Sequence, residues 1–139
     1  MNNCKFCNFD ETKYDNLIYV MDLPSGALYL MADQTLPGRC ILAMGRHVKK
    51  LTELTEQEYR IFFEDVRKIA LAINTLFSPD KINYLVLGDL SDHLHIHIVP
   101  KYREKAEWGK IFTMDREEYD VFPLEKKNKI SDSFRKLLK

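Results

Sequence analysis

The chain has 139 residues, 45% of them hydrophobic, and its 21 lysines and arginines balance its 21 aspartates and glutamates. That length suits one domain around one core. With no net charge, bulk electrostatics favours neither nucleic acid nor an anionic membrane as a partner.

No apolar run approaches the ~18–20 residues of a membrane span. Met1-Asn2-Asn3-Cys4-Lys5 lacks the apolar core of a signal peptide, so a cytoplasmic protein is expected. Three cysteines in such a chain do not make a disulfide scaffold.

The first signal along the chain is Cys4-Lys5-Phe6-Cys7. Two cysteines at this spacing can grip a tetrahedral metal; a redox pair and two incidental thiols are the other readings. Leu17 to Met21 reads as a strand, and Asp22 to Gly26 as a turn cluster. Ala27 to Ala32 is a second strand, Asp33 to Gly38 a loop, and Arg39 to Met44 a third strand closed by Gly45-Arg46-His47. Leu51 to Phe77 reads as the one long helix, with Thr55-Glu56-Gln57-Glu58 fitting a capping box at its start. Tyr59, Phe62, Phe63, Val66, Ile69, Ala70 and Ile73 recur at helical spacing and form its expected core stripe. Ser78-Pro79-Asp80 stops it.

Ile82 to Leu87 is a fourth strand, and Gly88 to Asp92 turns the chain into His93-Leu94-His95-Ile96-His97. A short loop between neighbouring strands predicts an antiparallel hairpin. In a strand, alternate residues share a face. All three imidazoles then point one way, while Leu94, Ile96 and Ile98 point into a core. Histidines on a solvated face bring no packing gain, whereas imidazole can serve as nucleophile, proton carrier or metal ligand near neutral pH. One metal shared by all three is disfavoured, because a straight strand sets its first and fifth residues ~13 Å apart.

After Pro100, Lys101 to Lys105 reads as a solvated exit, and Trp108 is the single tryptophan. Asn128 to Leu138 forms a short helix with Ile130, Phe134, Leu137 and Leu138 on its apolar side. The expected fold class is α+β: an antiparallel sheet with one long helix packed on one face.

His93-Leu-His95-Ile-His97-Ile-Val99 resembles the motif that names the HIT (histidine triad) family. Pro37-Gly38-Arg39-Cys40-Ile41-Leu42, followed by Gly45-Arg46-His47, resembles that family's Pro-Gly-His, apolar strand, Arg-His segment. Cys4-x-x-Cys7 resembles the zinc pair of many bacterial members. The resemblance covers about Cys4 to Gly109. It implies a HIT domain over 1–110 and a C-terminal extension over 111–139 packed on or near it.

The resemblance implies hydrolysis or transfer of nucleoside monophosphate adducts, of phosphoramidate or dinucleoside polyphosphate type, through a nucleotidyl-histidine. By the same resemblance His95 is the nucleophile, and His97 helps hold the phosphate. Cys4, Cys7, His47 and His93 hold a structural zinc. Asp33 holds the ribose hydroxyls, and Leu17, Tyr19 and Leu30 line the purine slot. Gly88 matches a glycine of the loop that meets the phosphate, Ser91 supplies a hydroxyl there, and Asp89 sets a repelling charge beside it. The implied partners are a nucleotide substrate and a second copy in a homodimer, with no nucleic acid or membrane. Arg39 departs from the family's histidine after Pro-Gly. Asp89 and Leu90 stand where members carry donors, which leaves open a nucleotide-binding HIT protein with little or no turnover.

Overall fold

The structure, a computed structural model, describes residues 3–139. In chain order it contains β1 (Leu17–Leu23), β2 (Gly26–Met31), β3 (Cys40–Met44), α1 (Glu56–Phe77), β4 (Lys81–Leu85), β5 (His95–Lys101) and α2 (Leu124–Leu137). The strands form one sheet of order β1-β2-β3-β5-β4, antiparallel at every pairing. This is the expected α+β architecture, including the β4–β5 hairpin. β5 is paired on both sides: Ile41 and Leu85 both stand opposite His97, and Ala43 opposite His95. Among the described residues, no helix is long and apolar enough to cross a membrane.

Alternation along the strands sorts residues between two faces. Leu28, Leu30, Leu42, Ile96 and Ile98 pack under Phe62, Val66, Ile69 and Ile73 of α1, and Phe134 and Leu138 complete that core. On the opposite face, Leu17, Tyr29, Met31, Ile41 and Ala43 meet Phe6 and Phe9 from the N-terminal stretch. Leu36 and Val99 meet Phe112 from the stretch after β5. The helices therefore roof one face and irregular chain roofs the other.

That second roof closes the histidine face off from solvent. His93, His95 and His97 are only 2%, 5% and 3% exposed. The strand also begins at His95 rather than His93, although His93 is held just ahead of it. There the Leu94 amide donates to the Val48 carbonyl at 2.7 Å, and the Met44 amide donates to the Leu94 carbonyl at 2.9 Å.

The long helix starts later than expected. Thr55 is extended and closes the capping box with Glu58, so Leu51–Glu53 stands apart as a 3-10 turn. Within the expected stripe, Phe62, Val66, Ile69, Ala70 and Ile73 are buried, but Tyr59 and Phe63 are 45% and 42% exposed. α2 starts four residues earlier than expected, after Pro123, whose fixed φ suits a helix start. Leu137 turns outward.

Because Phe134 is fully buried in the main core, Phe134→Ala should cost about 3–5 kcal/mol. Denaturant unfolding measures this, and an unchanged midpoint would show α2 to be dispensable to the cooperative unit.

Candidate functional site

Cys4 and Cys7 flank a tight turn in which the Cys7 amide donates to the Cys4 sulfur at 3.4 Å. His47 follows β3 and His93 precedes β5, so the sheet brings both rings to this turn. The four ligand atoms all lie within 4.8 Å of one another. Cys4 Sγ is 3.3 Å from His93 Nδ1, Cys7 Sγ is 3.2 Å from His47 Nδ1, and the two Nδ1 atoms are 3.0 Å apart. His93 Nε2 donates to the Met44 carbonyl at 2.7 Å, so the lone pair of its Nδ1 faces the sulfurs. With metal–nitrogen bonds of ~2.0–2.1 Å and metal–sulfur bonds of ~2.3 Å, tetrahedral ligands sit roughly 3.3–3.8 Å apart. The set therefore fits a four-coordinate ion after small adjustment, with no position left for a reactant.

His95 and His97 turn away from this cluster into a cavity of about 140 Å³, with Lys5, Asp89, Ser91, Met114 and Asp115 in its walls. His95 Nδ1 donates to the His93 carbonyl at 2.7 Å, which leaves Nε2 as the nitrogen with a free lone pair. Phe6 packs 5.1 Å from the His95 ring and Phe112 lies 6.2 Å from the His97 ring, centroid to centroid. Burial lowers the pKa of His95, and the nearby Lys5 charge adds to the shift. Burial also pushes His97 down to about 3, helped by charge on His95, Arg39 and Lys5. Both rings are neutral near pH 7, and His97 Nδ1 is buried without a hydrogen-bond partner.

A second network crosses the end of β2. Asp33 Oδ1 accepts from the Thr35 amide at 3.0 Å, while Oδ2 faces Arg116 at 2.7 Å and Arg39 at 3.4 Å. Burial opposes the Asp33 charge, but the Thr35 amide and Arg116 outweigh it and hold the carboxyl below its ordinary pKa. Arg39 is fully buried and lies over the Phe112 ring. Its guanidinium donates to the carbonyls of Thr113 at 3.0 Å and Met114 at 3.2 Å. Arg116 reaches on to Glu107, and the buried Lys101 ammonium donates to the Glu107 and Lys110 carbonyls. Residues 107–116 are thereby strapped across the histidine face.

The structure brings most of the expected site residues together. Leu17 is buried on the histidine face, and Tyr19 stands edge-on to Tyr29, 5.9 Å away. Leu30 is a correction: alternation turns it to the helix side, where it is fully buried, so its neighbours Tyr29 and Met31 take the histidine side. Asp89 and Ser91 line the cavity, whereas Gly88 is exposed outside it. Asp33, assigned by resemblance to the ribose hydroxyls, has one oxygen committed to two arginines. Sequence reasoning missed Lys5, Phe6, Phe112, Asp115 and Arg116. The first two lie inside a motif read only for its cysteines, and the others lie in a stretch without periodicity. Trp108, 38% exposed, has the Arg103 guanidinium over its ring.

Comparison with known proteins bears on the whole arrangement. A family model described as the HIT domain matches residues 12–104. "Protein hit" of Bacillus subtilis is 28% identical over 149 aligned positions, spanning 98% of this chain and 94% of that protein. The bis(5'-nucleosyl)-tetraphosphatase [asymmetrical] of Schizosaccharomyces pombe is 30% identical over 89 positions, 60% of this chain and 48% of that one. The crystal structure of a Zn-bound histidine triad family protein from Mycobacterium smegmatis superposes with a TM-score of 0.71 at 15% identity, covering 98% of this chain and 96% of the other.

Arg39→Met keeps an apolar stem over Phe112 but removes both carbonyl contacts to the strap. Amide hydrogen exchange at 113–116 should then accelerate about tenfold or more. Unchanged protection there would mean that Arg39 does not hold the strap down.

Proposed function

This chain belongs to the HIT domain family, and we propose that it hydrolyses or transfers nucleoside monophosphates from a phosphoramidate or dinucleoside polyphosphate adduct, with His95 as the nucleophile. The observation that carries this reading is the bond from His95 Nδ1 to the His93 carbonyl, which selects the tautomer with a free Nε2 lone pair. In the first step Nε2 attacks the α-phosphorus. A nitrogen–phosphorus bond forms, the bond to the leaving group breaks, and the leaving group departs with the electron pair and takes up a proton. In the second step water, or another acceptor, attacks the same phosphorus and gives up a proton to solvent, the phosphorus–nitrogen bond breaks, and the histidine leaves with its electron pair.

His97 helps hold the phosphate with the single N–H of its neutral ring. The nucleoside extends toward Leu17, Tyr19 and Tyr29, and its ribose reaches Asp33 when Arg116 turns aside. The relative from Schizosaccharomyces pombe, named for tetraphosphatase activity, supports the polyphosphate form of the reaction. One observation favours a binding protein with little turnover: Asp89, an acidic residue, is among those lining the cavity where a phosphate would sit.

Cys4, Cys7, His47 and His93 would hold zinc, in keeping with their two thiolates and two imidazoles and with the zinc-bound relative. A closed set of this kind supplies structure, anchoring His93 and so the carbonyl that orients His95. Cysteines kept reduced for such a site suit a reducing cytoplasm. The boundary at 110 falls within the strap, and we take 1–110 as the HIT domain with 111–139 as an extension that closes it.

An open edge and exposed apolar side chains support the reading of a homodimer. β4 is an edge strand with Tyr84 49% exposed, and Tyr59, Phe63 and Leu71 of α1 are exposed on the helix that roofs this sheet. An open edge beside apolar side chains is a natural surface for a second copy. Light scattering at micromolar concentration should give twice the chain mass, and Tyr84→Lys should give single chains. A monomeric wild-type protein at all concentrations would remove this part of the proposal.

For the chemistry, His95→Ala should lose about a thousandfold or more in turnover of an AMP or GMP phosphoramidate. It should keep one zinc per chain by elemental analysis, whereas His93→Ala should lose the metal. Turnover that survives His95→Ala, or zinc that leaves with it, would refute the assignment.

A further inference from the structure

Among the described residues, Lys5 is the only lysine or arginine lining the histidine cavity, and its acidic companions there are Asp89 and Asp115. It sits between the two cysteines of the metal turn, so its backbone is fixed by whatever holds Cys4 and Cys7. Its ammonium lies 5.2 Å from the Phe6 ring centre, and the Phe6 ring packs 5.1 Å from that of His95. Lys5 is thus carried by the metal turn to the side of the nucleophile.

Lys5, Leu90 and Ser91 also line a second, wider space: a groove of about 860 Å³ over the metal turn. Lys49 stands in that groove, and its partner is Asp92 at 3.1 Å, with both side chains more than half exposed. The cavity of about 140 Å³ is the size of a phosphate group rather than a nucleotide, whereas the groove lies in the ~300–1,000 Å³ range of ligand sites.

We propose that Lys5 binds the substrate's phosphate where the cavity opens into the groove, and that the groove takes the leaving group in phosphorylated form. This rests on the phosphoryl-transfer reading above. The loop of residues 86–94 puts Asp89 into the cavity wall. A phosphate there meets like charge unless a cation faces it from another side. Lys5 provides that cation as a point charge on the non-bridging oxygens, and the metal turn holds it in place before substrate arrives. The metal site then has two tasks, orienting His95 through His93 and delivering Lys5.

The test uses full-length Lys5→Met and Lys5→Arg proteins, first shown to keep wild-type metal content and melting temperature. Calorimetric binding of AMP against adenosine, and of GMP against guanosine, is the main readout. Lys5→Met should weaken the monophosphates about tenfold or more and leave the nucleosides within about twofold, and Lys5→Arg should recover most of the loss. Turnover of diadenosine tetraphosphate should fall further than that of adenosine phosphoramidate in both Lys5→Met and Lys49→Ala. Unchanged AMP affinity in Lys5→Met, or equal losses for AMP and adenosine, would overturn the phosphate role. Equal losses for the two substrates in Lys49→Ala would overturn the leaving-group assignment. Because binding is read without chemistry, Lys5-dependent AMP binding in a protein that turns nothing over would sink the catalytic reading alone. His95-dependent turnover with Lys5-independent AMP binding would sink this one alone.

Discussion

His93 joins the two halves of the site. Its ring nitrogen Nε2 donates to the Met44 carbonyl and Nδ1 faces the two sulfurs, while its own backbone carbonyl accepts a hydrogen bond from His95 Nδ1. One residue therefore completes the candidate metal cluster and selects the tautomer of its neighbour two positions on. The surrounding sheet makes that geometry stiff, because β5 is hydrogen-bonded on both sides and Leu94 is tied to Met44 and Val48. His97 is paired on both sides and His95 on one, opposite Ala43, so both side chains keep their positions with little entropy left to lose.

The roof over the histidines is built on a different principle. Among the described residues no helix covers this face; irregular chain does, and it is fastened by charge. Arg39 is buried with its Nε unpartnered, while Asp33, Arg116 and Glu107 continue the chain of opposite charges toward the surface. Buried ion pairs of this kind repay their desolvation only partly, and they contribute register more dependably than stability. The helix-side core is held by apolar burial instead, with α1 and α2 sharing it. The two faces thus divide the work, one supplying cohesion and the other alignment.

The succession of strands and helix up to the histidines was legible because period-two alternation, turn residues and the Thr55 capping box are local signals. So was the grouping of Cys4, Cys7, His47 and His93 as a candidate metal site, once the family motif placed the two histidines beside the cysteines. Leu30 was misplaced because its strand is apolar on consecutive residues, Leu28 to Met31, all buried. Such a run carries no alternation from which to read a face. The buried state of the triad was hidden for a related reason. It depends on Phe6 and Phe112, residues 89 and 15 positions from His95 and His97. Arg39 read as a departure from the family pattern, and its partner carbonyls at Thr113 and Met114 lie in a stretch without any periodic signal.

The contact between Cys4 and His93 spans 89 positions of chain. An ion bound there is a cross-link over nearly two thirds of the protein, and like any cross-link it acts on the unfolded ensemble as well as the folded one. By the chain-entropy estimate used for disulfides, closing a loop of that size is worth about 4–5 kcal/mol. That closure would also fall late in synthesis, since Cys4 and Cys7 precede β3, α1 and β4, and His93 follows all of them. The cysteine turn would then be a latch that closes just ahead of β5, the strand that joins β4 to the rest of the sheet, so the order of events along the chain is written into the spacing of the four side chains.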